Sequence, residues 1–207
     1  MNVEMGRDIM KKLSILLFLC IYSLSFTEWY TQNIKDRWHE DTGQTVIFSN
    51  VNEFYFTPEN QFINMDSKSI QVILSKVYYK EQMAKAFNKK KDDILYVMLI
   101  DLGAHLKNEK VTNILMAANS QNIIEIKIDN NNPIKLIGIC NPNTFIITIP
   151  LLTDEKNKNN SELLISQMKK GKKFNISLNR IFLLKTDLNK FNERFNKLSV
   201  GPYDLEQ

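Results

Sequence analysis

Histidine, cysteine, glycine and proline are all scarce in this chain: 2 His, 2 Cys, 6 Gly and 5 Pro among 207 residues. Each shortage excludes something. With only His39 and His105 as imidazoles, a metal centre or a histidine-based catalyst has few donors to draw on. The glycines stand singly, so no glycine-rich loop can cradle a phosphate. The cysteines, Cys20 and Cys140, do not form a disulfide framework, and the fold must stand on its apolar core. Neither sign of charge dominates: 27 Lys and Arg face 23 Asp and Glu, for a net +4. A balance that mild does not favour nucleic acid as a partner.

What is abundant is Asn, Lys and Ile, the composition of an AT-rich coding sequence, so lysine clusters carry less meaning than usual. One apolar run stands out. Lys11 and Lys12 precede LSILLFLCIYSL at residues 13–24, and Ser23 and Ser25 follow at a small-x-small spacing. A run of this length suits the core of an export signal and is short for a bilayer span, which needs about 20 residues. The expectation is a signal peptide over residues 1–25, cut after Ser25, with Met10 as the more natural start. An uncleaved anchor is the alternative, and lipidation at Cys20 a further one, although Leu19 fits a lipidation site poorly. Cleavage would remove Arg7, Lys11 and Lys12 with Glu4 and Asp8, lowering the net charge by one, from +4 to +3. Only Cys140 would remain, and its place at the end of the apolar run 134–139 predicts a buried thiol.

Residues 26–200 read as one α+β domain, mainly an antiparallel β-sandwich with two or three short helices, the last at the C-terminus. Strands are expected at 44–48, 52–56, 69–77, 94–102, 111–118, 123–128, 134–140, 145–149, 174–178 and 180–185, with 94–102 as a central strand. Asn-rich turns separate several of them, at 129–133 and 141–143. Helices are expected over 78–90, over 162–170 capped by Ser161 and ended by Gly171 in a left-handed turn, and after a cap at Thr186 or Asp187. The last helix carries Leu188, Phe191, Phe195 and Leu198 as one apolar stripe. Residues 154–160 read as a solvated loop and 201–207 as a flexible tail.

Residues 29–50, WYTQNIKDRWHEDTGQTVIFSN, resemble the opening of a family of exported bacterial proteins of unassigned activity. That family has a strand, an Asp-x-aromatic-Gly-Asp/Glu-x-Thr-Gly turn and a second strand. Asp36, Trp38, Glu40, Thr42 and Gly43 match the turn, and His39 stands where the family has Gly. Residues 166–198 are similar to its second half: a short helix, a Lys-Gly-Lys turn, a strand pair and a closing helix with paired aromatics. The layout is similar to that of invasion-associated locus B proteins, exported β-sandwiches of host-associated bacteria, with versions in spirochaetes. Residues 78–93 look like an insertion relative to that layout, and the disulfide cysteines of the invasion-associated type are absent. The resemblance implies a protein of the periplasm or cell surface with a role in host association; no cofactor is expected.

The candidate sites are few. Lys169, Lys170, Lys172 and Lys173 form the densest basic spot, a possible surface for anionic lipid, glycosaminoglycan or nucleic acid, with Lys89, Lys90 and Lys91 as neighbours to test. The plainer reading is a helix end where cations favour the dipole. Asp36, Trp38, Glu40, Thr42 and Gly43 form the turn motif, read first as shaping the turn. Cys140 as a thiol nucleophile and Asp101 with His105 as an acid–base or metal pair are the weakest candidates, since no local signature supports either. The residues therefore point to a non-enzymatic binding protein, with a periplasmic accessory factor as the alternative reading.

Overall fold

The computed structural model describes residues 28–35, 41–56, 63–65, 70–78, 90, 94–102, 121–141, 146–151 and 158–202. The signal-like run, the expected strand at 111–118 and nearly all of the expected helix at 78–90 lie outside them. The described residues are mostly antiparallel strand with two short helices.

The chain opens with β1 (Tyr30–Lys35), β2 (Asp41–Asn50), β3 (Glu53–Phe56), β4 (Ile63–Met65), β5 (Gln71–Tyr78) and β6 (Ile94–Asp101). It continues through β7 (Gln121–Ile128), β8 (Ile134–Asn141), β9 (Ile146–Leu151) and helix α1 (Lys158–Lys170). It ends with β10 (Lys173–Leu178), β11 (Phe182–Asp187), helix α2 (Phe191–Phe195) and β12 (Val200–Pro202). The hydrogen-bonded order is β1-β2-β5-β6-β9-β8-β7-β10-β11-β3-β4, with β12 added parallel to β5.

Alternation along the strands builds the core row by row. On one half of the sheet, Ile47, Leu74, Met98 and Ile149 stand side by side on successive strands, all fully buried. On the other half the row is Phe54, Leu184, Ile176, Ile126 and Ile134. The two halves belong to one apolar cluster, so the sheet curls over on itself into a sandwich-like body. Strand β8 forms one corner, pairing β7 over most of its length and β9 only at Ile139, Cys140 and Asn141. Gly138 sits at that bend because a Cβ there would lie 2.6 Å from Ile147 Cγ2. Strand β6 is central, as expected, with β5 and β9 on its two sides. Both faces of β5 and β6 bury apolar side chains: Leu74 and Met98 on one, Val77, Leu95 and Val97 on the other.

The second corner is the short link from β2 to β3, and it is fastened by polar groups. The buried hydroxyls of Ser49 and Thr186 lie 3.0 Å apart, and Thr186 Oγ1 donates to the Asn50 carbonyl at 2.9 Å. The Asn52 N–H donates to the Lys185 carbonyl at 2.8 Å, and its side-chain amide to Asp187 Oδ2 at 3.0 Å. Trp29 completes the closure. It is fully buried, its Nε1–H donates to the Asp187 carbonyl at 2.9 Å, and its ring meets Phe191 edge-on at 4.9 Å. Such a ring contributes both apolar area and a directed hydrogen bond.

Several expectations need correction. Thr186 and Asp187 do not cap α2, because both are spent across the corner just described. Lys190 stands at the N-cap instead, left-handed at φ 60 and without a side-chain cap. Leu188 and Leu198 fall outside this five-residue helix, yet the four apolar side chains still turn inward: Leu188, Phe191 and Phe195 are buried and Leu198 packs on the core. Helix α1 starts at Lys158, so Ser161 is a buried residue inside it rather than its cap, and 158–160 are not loop. Gly171 is not left-handed. Its N–H continues the helix to the Gln167 carbonyl at 2.8 Å, and a Cβ there would collide with Ile128 Cγ2. Arg180 is not in a strand: Asn179 and Arg180 are both left-handed, at φ 51 and 59, and turn β10 into β11. Tyr78 ends β5 instead of opening a helix. Gly201 and Pro202 lie in β12 rather than in a tail.

Replacing Trp29 with Ala is expected to lower unfolding stability by about 3–5 kcal/mol. Trp29→Phe keeps most of the ring and strands the Asp187 carbonyl, and should cost about 1–3 kcal/mol. Urea unfolding of the two variants beside the parent chain checks both values.

Candidate functional site

The basic spot sits where α1 runs into β10. Lys169 and Lys170 occupy the last turn of α1, where cations suit the helix dipole. The Lys169 ammonium does not face solvent alone: it stands 4.1 Å from the centre of the Phe195 ring. Lys172 and Lys173 are exposed, but their backbone N–H groups are already engaged. Both donate to the carboxylate of Asp129, Lys172 at 3.1 Å and Lys173 at 2.9 Å. Asp129 is left-handed, at φ 50, in the β7–β8 turn, and its own N–H donates to the Lys173 carbonyl at 3.1 Å. The position that an external anion would take at this turn is thus filled by the chain's own carboxylate. What is left for a ligand is the side chains of Lys170, Lys172 and Lys173.

On the adjoining strands the outer face carries a smaller charged cluster. Glu53 accepts from Lys185 Nζ at 2.7 Å and from the Tyr55 hydroxyl at 2.6 Å. The hydrogen bond from Lys185, then that from Tyr55, holds the Glu53 carboxyl below the usual range, while the Tyr55 hydroxyl is pushed up by the same contact. This contribution to stability is present above the ordinary carboxylate range and is lost as pH falls through the lowered value.

The turn motif divides. Asp36, Trp38, His39 and Glu40 lie outside the described residues, while Thr42 and Gly43 open β2. Thr42 Oγ1 donates to the Ile34 carbonyl at 2.7 Å. Gly43, at φ 75, donates its N–H to Asp41 Oδ1 at 2.8 Å and accepts from Ser199 Oγ at 2.6 Å. Thr45 Oγ1 donates to the Lys197 carbonyl and accepts from the Ser199 N–H at 2.7 Å. These bonds hold the C-terminal segment where β2 has parted from β5, and β12 pairs with β5 there. Thr42 and Gly43 thus tie β2 to β1 and to the C-terminal segment.

Asp101 ends β6, opposite Gln71 and Ile146, and His105 lies outside the described residues. Cys140 is buried, as expected, at 4% exposure at the end of a core row next to Ile147. Burial pushes its thiol pKa up, away from the thiolate that a nucleophile needs. Among the described residues no group of three or more His, Cys, Asp or Glu side chains is placed to hold a metal ion.

One feature escaped the sequence reading. Ile123, Ile137 and Ile139 are 57%, 60% and 51% exposed on the outer face of β7 and β8. Ile123 and Ile137 are cross-strand partners, and Ile139 follows Ile137 on the same face. The segment IKLIGIC is apolar at both parities, which marks a strand without saying that one face stays open. Compared with protein-family models, with curated proteins and with solved structures, the chain finds no match in any of the three.

Two outcomes test this geometry. Asp129→Ala releases two backbone donors and should cost about 1–3 kcal/mol in urea unfolding. Cys140 should stay unreactive to an aromatic disulfide reagent in the native chain at neutral pH and react at once when unfolded. Because the folded thiol titrates above the unfolded one, stability should hold at neutral pH and fall as pH rises past the ordinary thiol range.

Proposed function

We propose that the chain is an exported protein of the cell envelope that acts by binding a partner and not by catalysis. The observation that carries the export reading is the signal-like run itself. Trp29, the buried anchor of the sheet closure, lies four residues past Ser25, so a cut there keeps it in the mature chain. The run at 13–24, with Lys11 and Lys12 before it, supplies the signal. Among the described residues no helix is long and apolar enough to cross a membrane.

The binding reading is supported by the state of the one thiol kept after the cut. Cys140 is buried with its pKa raised, which disfavours it as a nucleophile. A host ligand at the cell surface is the leading partner, and an envelope complex in the periplasm is the second. Two measurements on producing cells separate these. Mass spectrometry of the envelope fraction is expected to find the chain beginning at Phe26. Protease added to intact cells, with a lysed control, then locates it: cutting before lysis supports surface display and a host ligand, cutting only after lysis the accessory role. A chain that keeps residues 1–25 and stays in the cytosol defeats the export reading.

A further inference from the structure

The outer face of β7 and β8 joins an exposed apolar surface to a cationic one. At one end stand Ile123, Ile137 and Ile139, each more than half exposed. In the next row, Lys135 and Arg180 both reach Glu125, at 3.7 and 3.4 Å. Their side chains are 67% and 73% exposed while that of Glu125 is only 19% exposed, so the cations stand outward over the carboxylate. Lys127, also exposed, follows two residues along β7 on the same face. The strip therefore reads apolar, then cationic, with three cations against one carboxylate.

We propose that this strip is a peripheral contact surface for an anionic lipid bilayer. The isoleucines enter the boundary between headgroups and acyl chains, and Lys135, Arg180 and Lys127 meet the lipid phosphates. Two arguments favour lipid over a protein partner. Three isoleucines and three cations fall well short of the 20–30 residues a side that a standard protein interface uses. A bilayer asks for no shape complementarity, and an open strand face with a cationic flank meets its two requirements, apolar insertion and opposite charge. The proposal rests on the envelope reading only for where such a bilayer is met. Binding itself is measured on vesicles, so either can fail without the other.

The test is cosedimentation of the chain, as purified from producing cells, with vesicles of phosphatidylcholine alone or mixed with phosphatidylglycerol. The parent chain should bind the phosphatidylglycerol vesicles at least tenfold more tightly, and less so as salt rises. Ile137→Thr with Ile139→Thr keeps the β-branched shape and should weaken binding tenfold or more. Lys135→Gln and Arg180→Gln should each weaken it roughly fivefold. An unchanged melting temperature shows that the fold is intact in each variant. Absence of vesicle binding, equal binding to both vesicle types, or binding that ignores the isoleucine pair each overturns the proposal. So does a protein partner from the envelope whose capture needs the isoleucines while vesicles are not bound.

Discussion

The curled sheet depends on the end of β11, where Thr186 and Asp187 satisfy polar groups arriving from the other half of the molecule. An antiparallel sheet of this breadth carries one long apolar face, and it bends to hide that face. Bending brings β2 past β11, and the link at Val51 and Asn52 leaves backbone groups at the crossing. Thr186 takes the Asn50 carbonyl, Lys185 takes the Asn52 N–H, and Asp187 takes both the Asn52 amide and the Trp29 indole. Ser49 and Thr186 are buried, and buried polar groups are costly unless paired, so their pairing favours this crossing. Trp29 then covers it from the N-terminal side, against Phe174 and Phe191.

The same economy of polar groups explains why the densest cluster of lysines is not the most open surface. Lys169 leans on Phe195, and the turn that follows wraps its N–H groups around Asp129. The turn is basic by composition and satisfied by geometry. The outer face of β7 and β8 is the opposite case. Its cations are few, but Glu125 lies beneath them, and isoleucines that could have been buried are left in solvent. Beside it on β10 and β11, polar residues such as Asn175, Ser177 and Lys185 occupy places on the same outer face.

Much of the fold was legible residue by residue. Strong alternation placed β2, β3, β5 through β11 within a few positions, because burial of one face imposes a period of two. The heptad-like spacing of Leu188, Phe191 and Phe195 placed the last apolar stripe. Local chemistry failed wherever a side chain had a distant use. Thr186, Asp187 and Ser161 have the chemistry of helix caps, yet the first two serve the sheet crossing and the third lies inside a helix. Gly171 reads as a left-handed stop and is instead a clearance for Ile128. Strand β12 could not be read at all, since three residues form a strand only if β5 already offers a free edge.

By itself, then, the sequence determined most of the described strands, many of the core positions within them and that Cys140 is buried. Hydrophobic period and run length are local quantities, and each segment carries its own. The tertiary structure alone decided how the sheet closes, which lysines keep an open side and which isoleucines face solvent. Those are set by which residues meet from distant parts of the chain. Asp129 meets Lys172 and Lys173 only because β7 lies beside β10, and Ile137 stays open only because no described strand lies over β8.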